Sequence, residues 1–222
     1  MDFFKIIERL DEILYRVASW LLFYPITVWR MISSPLKTMQ SVVGELSQEE
    51  PKQFDDTVPP PLFLLLTIII VHALELGTSG ESDLVTSTRG LSRLITSDSS
   101  LIFFRIMMFS VLALAAALRL NRAKGLPLDS ESLKAPFYAQ CYAAGFLVLL
   151  SDGVALVVER HLSFDDPFYY AILGVALIWL LIVEAGWFAV QLGRSFAQGL
   201  VQAAIMIGAW AVLFLPIAYL LR

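Results

Sequence analysis

The sequence is poor in the residues on which most protein chemistry depends. Among 222 residues there is one cysteine, Cys141, and two histidines, His72 and His161. A single thiol excludes an intrachain disulfide framework and any zinc or iron–sulfur site built on several thiolates. Within its apolar segment Cys141 reads as a small buried apolar residue. The histidines lie in different segments without a spacing such as HExxH, which leaves a metallohydrolase unsupported. No Gly-rich phosphate loop, GxSxG elbow or paired Cys and His arrangement occurs, so no enzyme class and no cofactor are indicated. Charge is scarce too: 16% of residues are Asp, Glu, Lys or Arg, the formal net charge is -4, and no long basic run offers a footprint for nucleic acid. One short segment, ERHLSFDDP, gathers Glu159, His161, Asp165 and Asp166. Such a set can hold a divalent cation, but a solvated turn with Asp165 or Asp166 capping the next helix is the simpler expectation.

What the chain has is apolar length. Hydrophobic residues make up 58% of it, and the mean hydropathy is +0.72, outside the range of soluble domains. Apolar runs long enough to cross about 30 Å of hydrocarbon fall at residues 60–77, 101–119, 136–158, 167–190 and 200–221. The segments between them carry turn chemistry, GTSGESD after the first and NRAKGLPLDSES after the second. Nothing alternates like a barrel strand, so each run is expected to be helical, with its backbone hydrogen bonds closed internally. The predicted fold is an all-α membrane bundle of five transmembrane helices over residues 59–222.

Residues 1–58 are a separate region with nine acidic and six basic residues around a shorter apolar stretch, VASWLLFYPITVW. Thirteen residues are too few to span. Acidic residues crowd its start, Pro25 interrupts it, and no small-residue cleavage site follows, so it is not read as a signal peptide. An amphipathic helix in the headgroup layer is expected, with Trp20, Tyr24 and Trp29 as interfacial anchors and Arg16, Arg30 and Lys37 facing anionic lipid. The rival arrangement packs this helix against the ends of the bundle. The segment GELSQEEPKQFDDT that follows reads as an acidic, solvated connector. Lys37 and Lys52 in this region, with Arg119, Arg122, Lys124 and Lys134 around the second loop, outnumber Arg89, Arg93 and Arg160 on the opposite side. That bias predicts a cytoplasmic amino terminus and an external carboxyl terminus.

Ionisable residues inside the spans form two expected tiers. Chain order places His72, Glu75, Arg105, Asp152, Glu159 and Arg160 in the outer leaflet, with His72 and Glu75 sharing a helix face at i, i+3 spacing. Arg105 is the natural cation between Glu75 and Asp152. Toward the other end, a neutral, protonated Glu184 is expected to hydrogen-bond one of the amides Gln140, Gln191 or Gln202. These groups serve either as fasteners between helices or as a functional path. Small residues at four-residue spacing, Ala135, Ala139 and Ala143, then Ala189, Gly193 and Ala197, then Ala204 and Gly208, point to close helix contacts and leave a homo-oligomer open.

The stretch WLLFYPITVWRMISSPLKTM, the acidic connector and five closely spaced spans together resemble the bacterial branch of the Yip1 domain family. The third span, FYAQCYAAGFLVLL, is similar to the family segment in which a Gly-aromatic pair, here Gly145 and Phe146, sits in an apolar helix. The Asp-Leu-x-Gly-Pro type motif of eukaryotic members is absent, and Phe146 replaces the tyrosine of their Gly-Tyr-x-Leu type motif. The resemblance thus does not carry over their role with small GTPases. It implies a non-enzymatic scaffold or adaptor in a bacterial inner membrane, in contact with the lipid bilayer and with a protein partner engaged through residues 1–58. The alternative is a small transporter or channel, a permease, with a path lined by Arg105, Asp152 and Glu184.

Overall fold

The computed structural model describes residues 3–49, 52–79, 85, 95, 97–153, 156 and 167–220. All regular structure among them is helical. In chain order the helices are α1 (Phe3–Ser33), α2 (Pro35–Leu46), α3 (Pro60–Ser79), α4 (Asp98–Lys124), α5 (Ser130–Val148), α6 (Pro167–Leu192) and α7 (Phe196–Leu220). A π-helical turn, Leu149–Gly153, continues α5. Helices α3, α4, α5 with its π-turn, α6 and α7 are each long and apolar enough to cross a membrane. The chain is a five-helix membrane bundle, as its hydropathy pattern predicts.

Local chemistry sets the helix ends. α4 starts in a capping box, where Ser97 accepts from the Ser100 backbone N–H and Ser100 accepts from that of Ser97. It ends at Gly125, whose φ of 68° suits the left-handed position that follows a helix. α5 is capped by Asp129, which accepts from the Ser132 backbone N–H at 2.8 Å. That bond holds the Asp129 carboxyl below the ordinary carboxylate range. A depressed native pKa means that this cap is fully formed above about pH 4 and is lost as the solution is acidified below it. Gly193, at φ 60°, closes α6, and a second box, Ser195 with Gln198, opens α7. Between α1 and α2, Ser34 precedes Pro35 and leaves the helical region at φ -154° and ψ 63°.

α5 lies at the centre. Ten consecutive residues, Ala139 to Val148, are buried, which a helix covered on one face alone cannot achieve. α2, α3, α4 and α6 surround it. Small side chains permit the approach: a Cβ on Gly145 would come within 2.9 Å of the Phe63 ring and 3.1 Å of the Leu64 backbone. α6 and α7 meet still more closely, because a Cβ on Gly199 would overlap the Ala185 carbonyl oxygen. Of the small residues named from spacing, Ala139 and Ala143 are buried as expected. Gly193 instead closes a helix, Gly208 faces open space, and the glycine in contact is Gly199.

The amino-terminal region departs most from expectation. One face of α1 packs on the bundle: Trp20, Phe23, Tyr24 and Val28 lie against the core, and Thr27 and Met31 are fully buried. Tyr24 and Trp20, expected as interfacial anchors, turn inward. The Thr67 hydroxyl donates to the Phe63 carbonyl at 2.7 Å, so the Tyr24 hydroxyl is the donor in its 2.9 Å bond to Thr67. Trp29 stays exposed, with Leu21, Leu22, Ile26 and Ile32. Arg30 pairs with Asp56 at 2.6 Å, and Lys37 is exposed. The Arg16 side chain lies outside the described residues.

The connector is not simply solvated. Phe54, at φ 58°, is buried, and its N–H donates to Glu45 Oε2 at 2.8 Å. Val58 is held from both sides, donating to Thr27 Oγ1 at 3.1 Å and accepting from the Tyr142 hydroxyl at 2.8 Å. α2, not anticipated as a separate helix, buries Met39 and Val42 beneath the bundle and seats Leu36 on Gly186.

Overpacking in a closed helix contact costs about 1–3 kcal/mol. Gly199→Ala should therefore lower the melting temperature in detergent, while Gly208→Ala leaves it near the parent value; equal melting temperatures for the two would contradict the α6–α7 contact. Single cysteines at Ser47, Leu126 and Arg194 should label from one face of a vesicle with an impermeant maleimide, and one at Ser99 from the other. Cys141 is fully buried and should stay silent. Labelling of Ser47 and Leu126 positions from opposite faces would break the alternation of spans.

Candidate functional site

The outer tier forms where the far ends of α3 and α4 meet. Arg105 donates to Glu75 Oε2 at 2.8 Å, and both side chains are largely buried, 13% and 15% exposed. The same guanidinium nitrogen stands 3.4 Å from His72 Nδ1. A cation can only donate there, so Nδ1 presents its lone pair to Arg105 and the ring proton belongs on Nε2. Nε2 faces Asp98 Oδ1 at 3.6 Å, beyond good hydrogen-bonding distance, and neither atom has a hydrogen-bond partner among the described residues. Glu75 Oε2 also lies 3.4 Å from Nδ1. The site thus joins two helices through one guanidinium, one imidazole and two carboxylates.

Asp152 lies within electrostatic reach of Arg105, the cation expected beside it. It stands on the π-turn, which packs on α3 and α6, whereas Arg105 comes from α4. Among the described residues no ion pair joins the two. The Ser151 hydroxyl lies 2.9 Å from Asp152 Oδ1 and 2.9 Å from the Leu147 carbonyl oxygen, and its single proton serves one of them at a time. Glu159, Arg160, His161, Asp165 and Asp166 fall outside the described residues. Asp98 joins the tier unannounced by the sequence reading, which began the second span at residue 101; the run SDSS before that span was the available signal for a capped helix start carrying an acid.

The inner tier is built on α5 and α6. Gln140 Nε2 donates to Glu184 Oε2 at 2.9 Å, and both residues are buried. This is the amide partner that the sequence analysis asked for. Gln202 does not join it: its Oε1 is buried without a partner, as are Glu184 Oε1 and Trp187 Nε1. Gln191 accepts instead from Lys124 Nζ at 3.0 Å at the end of the bundle. Trp187 and Asn121 also line a cavity of about 190 Å³ enclosed by α2, α4, α5 and α6. Asn121 donates to Ser132 Oγ at 3.1 Å and to the Pro127 carbonyl at 3.3 Å, tying the loop between α4 and α5. Among the described residues no group of three or more His, Cys, Asp or Glu side chains is arranged to hold a metal.

Five apolar spans with charged groups paired between them define an integral membrane protein of helical-bundle type. Comparison of the chain with protein-family models, with curated proteins and with solved structures finds no match.

Breaking a mostly buried ion pair from one side strands the other charge, at a cost of about 3–5 kcal/mol. Arg105→Ala should accordingly lower stability in detergent by an amount of that order. Arg30→Ala, which removes an exposed pair, should cost about 1 kcal/mol or less. An Arg105→Ala protein as stable as the parent would defeat the fastening role of this pair.

Proposed function

We propose that this chain is a non-enzymatic membrane scaffold or adaptor, of the kind its Yip1-like layout implies. The observation that carries this reading is the insulation of the two polar tiers from one another. On α5, Gln140 of the inner tier and Asp152 of the outer tier stand roughly 18 Å apart along the axis. Every residue from Cys141 to Val148 between them is buried in packed helix. Tyr142, the one hydroxyl in that interval, spends its proton on the Val58 carbonyl. Ions or protons crossing the bundle would have to pass this apolar layer, whereas charges that pair across helices serve a scaffold directly. The partner-facing element in this reading is the amino-terminal region, whose α1 keeps an apolar outer face at Leu22, Ile26 and Trp29 while its inner face is tied to the bundle.

A transporter is the second reading, and two details favour it. The π-turn places Asp152 at a break in helical regularity, and such turns occur often at functional sites. Glu184 carries a buried oxygen with no partner.

Proton or small-solute flux through liposomes containing the purified protein separates the readings. The scaffold predicts flux no greater than in empty liposomes, unchanged by Asp152→Asn or Glu184→Gln. Flux in the parent that either substitution abolishes, with helix content retained, would establish the transporter instead.

A further inference from the structure

Between α4 and α5, on the outside of the bundle, runs an open groove of about 510 Å³. Its walls are almost wholly apolar, with Met107, Val111 and Leu114 from α4 facing Phe137 from α5. At the loop end stand Ser130 and Lys134, in the first turns of α5. The lining runs from Met107 to Leu114 on α4, roughly 10 Å at helical rise, and from Ser130 to Tyr138 on α5, roughly 12 Å, against a half-thickness of ~15 Å for bilayer hydrocarbon. The groove therefore has room for much of one acyl chain of the adjoining leaflet.

Lys134 is the only charged residue in the lining. Its amine lies 5.8 Å over the ring of Tyr138, which holds the cation at the groove mouth. It makes no ion pair among the described residues. Asp129 and Glu131 share the same turn and keep their negative charges, Asp129 accepting from the Ser132 N–H and Glu131 exposed, but neither makes an ion pair with Lys134 among the described residues. The groove thus offers an apolar channel ending in one unpaired lysine amine, next to the Ser130 hydroxyl. We propose that it binds a phospholipid with an anionic headgroup, its acyl chain against Met107, Leu114 and Phe137 and its phosphate on Lys134. The assignment does not depend on whether the bundle acts as scaffold or transporter.

The test uses the full chain, delipidated in detergent and offered equal amounts of phosphatidylglycerol and phosphatidylcholine with matched acyl chains. Bound lipid is counted by native mass spectrometry. The parent should retain phosphatidylglycerol about fivefold over phosphatidylcholine. Lys134→Gln should abolish that preference and keep phosphatidylcholine binding at the parent level. Leu114→Trp, which fills the groove, should lower the retention of both lipids. Arg194→Gln, which removes an exposed cation elsewhere on the same side, should change nothing. Equal retention of the two lipids by the parent, or a preference that survives Lys134→Gln, overturns the proposal. So does a change of subunit stoichiometry in Leu114→Trp with lipid retention intact, which would make the groove an interface between copies. Should Leu114→Trp fail to fold, Lys134→Gln decides the matter by itself.

Discussion

Ten buried residues in unbroken succession, Ala139 to Val148 on α5, gather α2, α3, α4 and α6 around one helix. Lipid tails are as apolar as leucine, so the hydrophobic effect gives spans little reason to associate. What remains is dispersion, which requires close contact, and hydrogen bonding, which requires a partner. α5 supplies the first through its small side chains, with Gly145 admitting the Phe63 ring and the Leu64 backbone. It supplies the second near one end of the buried run, through Gln140 to Glu184 on α6 and the Tyr142 hydroxyl to the Val58 carbonyl. A bulky or β-branched residue in the middle of this helix would push the flanking helices apart and stretch those bonds together.

The same constraint explains how the charges are arranged. A charge facing lipid at mid-membrane costs on the order of 2.5–3.5 kcal/mol or more, so pairing across helices is the economical use of each one. Arg105 with Glu75 meets that demand fully. Glu184 meets it in part, since one of its carboxyl oxygens has no partner. An apolar stretch of α5, Cys141 to Val148, separates the two tiers. At the loop end of α5 the pattern changes: Lys134 stands beside an apolar groove without an ion pair among the described residues.

The amino-terminal region shows where reading a sequence one segment at a time fails. VASWLLFYPITVW has the aromatic residues and short apolar length of an interfacial helix, yet Tyr24, Thr27 and Met31 recur at helical spacing on one face and that face meets the bundle. Aromatic residues at the interface and aromatic residues in a helix contact carry the same periodicity. The SSPL junction did announce a helix break and a new start at Pro35, although α2 was not recognised as an element. Asp152 shows what depth alone leaves open: Arg105 is near enough to act on it electrostatically, but the π-turn packs on α3 and α6, and no direct ion pair joins the two among the described residues.

Span number and helical character were determined by the sequence itself. Hydrocarbon thickness and the need to close every backbone hydrogen bond act locally, residue by residue along the chain. Glu75 with Arg105 and Glu184 with Gln140 were within reach for the same reason, because depth leaves few candidates of opposite character. The tertiary structure decided the rest: Gly199 over Gly208 as the contact between α6 and α7, Asp98 opposite His72, Tyr24 on Thr67, and Lys134 left open at a groove. Each of these depends on how far a helix is rotated about its own axis relative to its neighbours. That rotation is set by packing among several helices at once, and no stretch of sequence contains it.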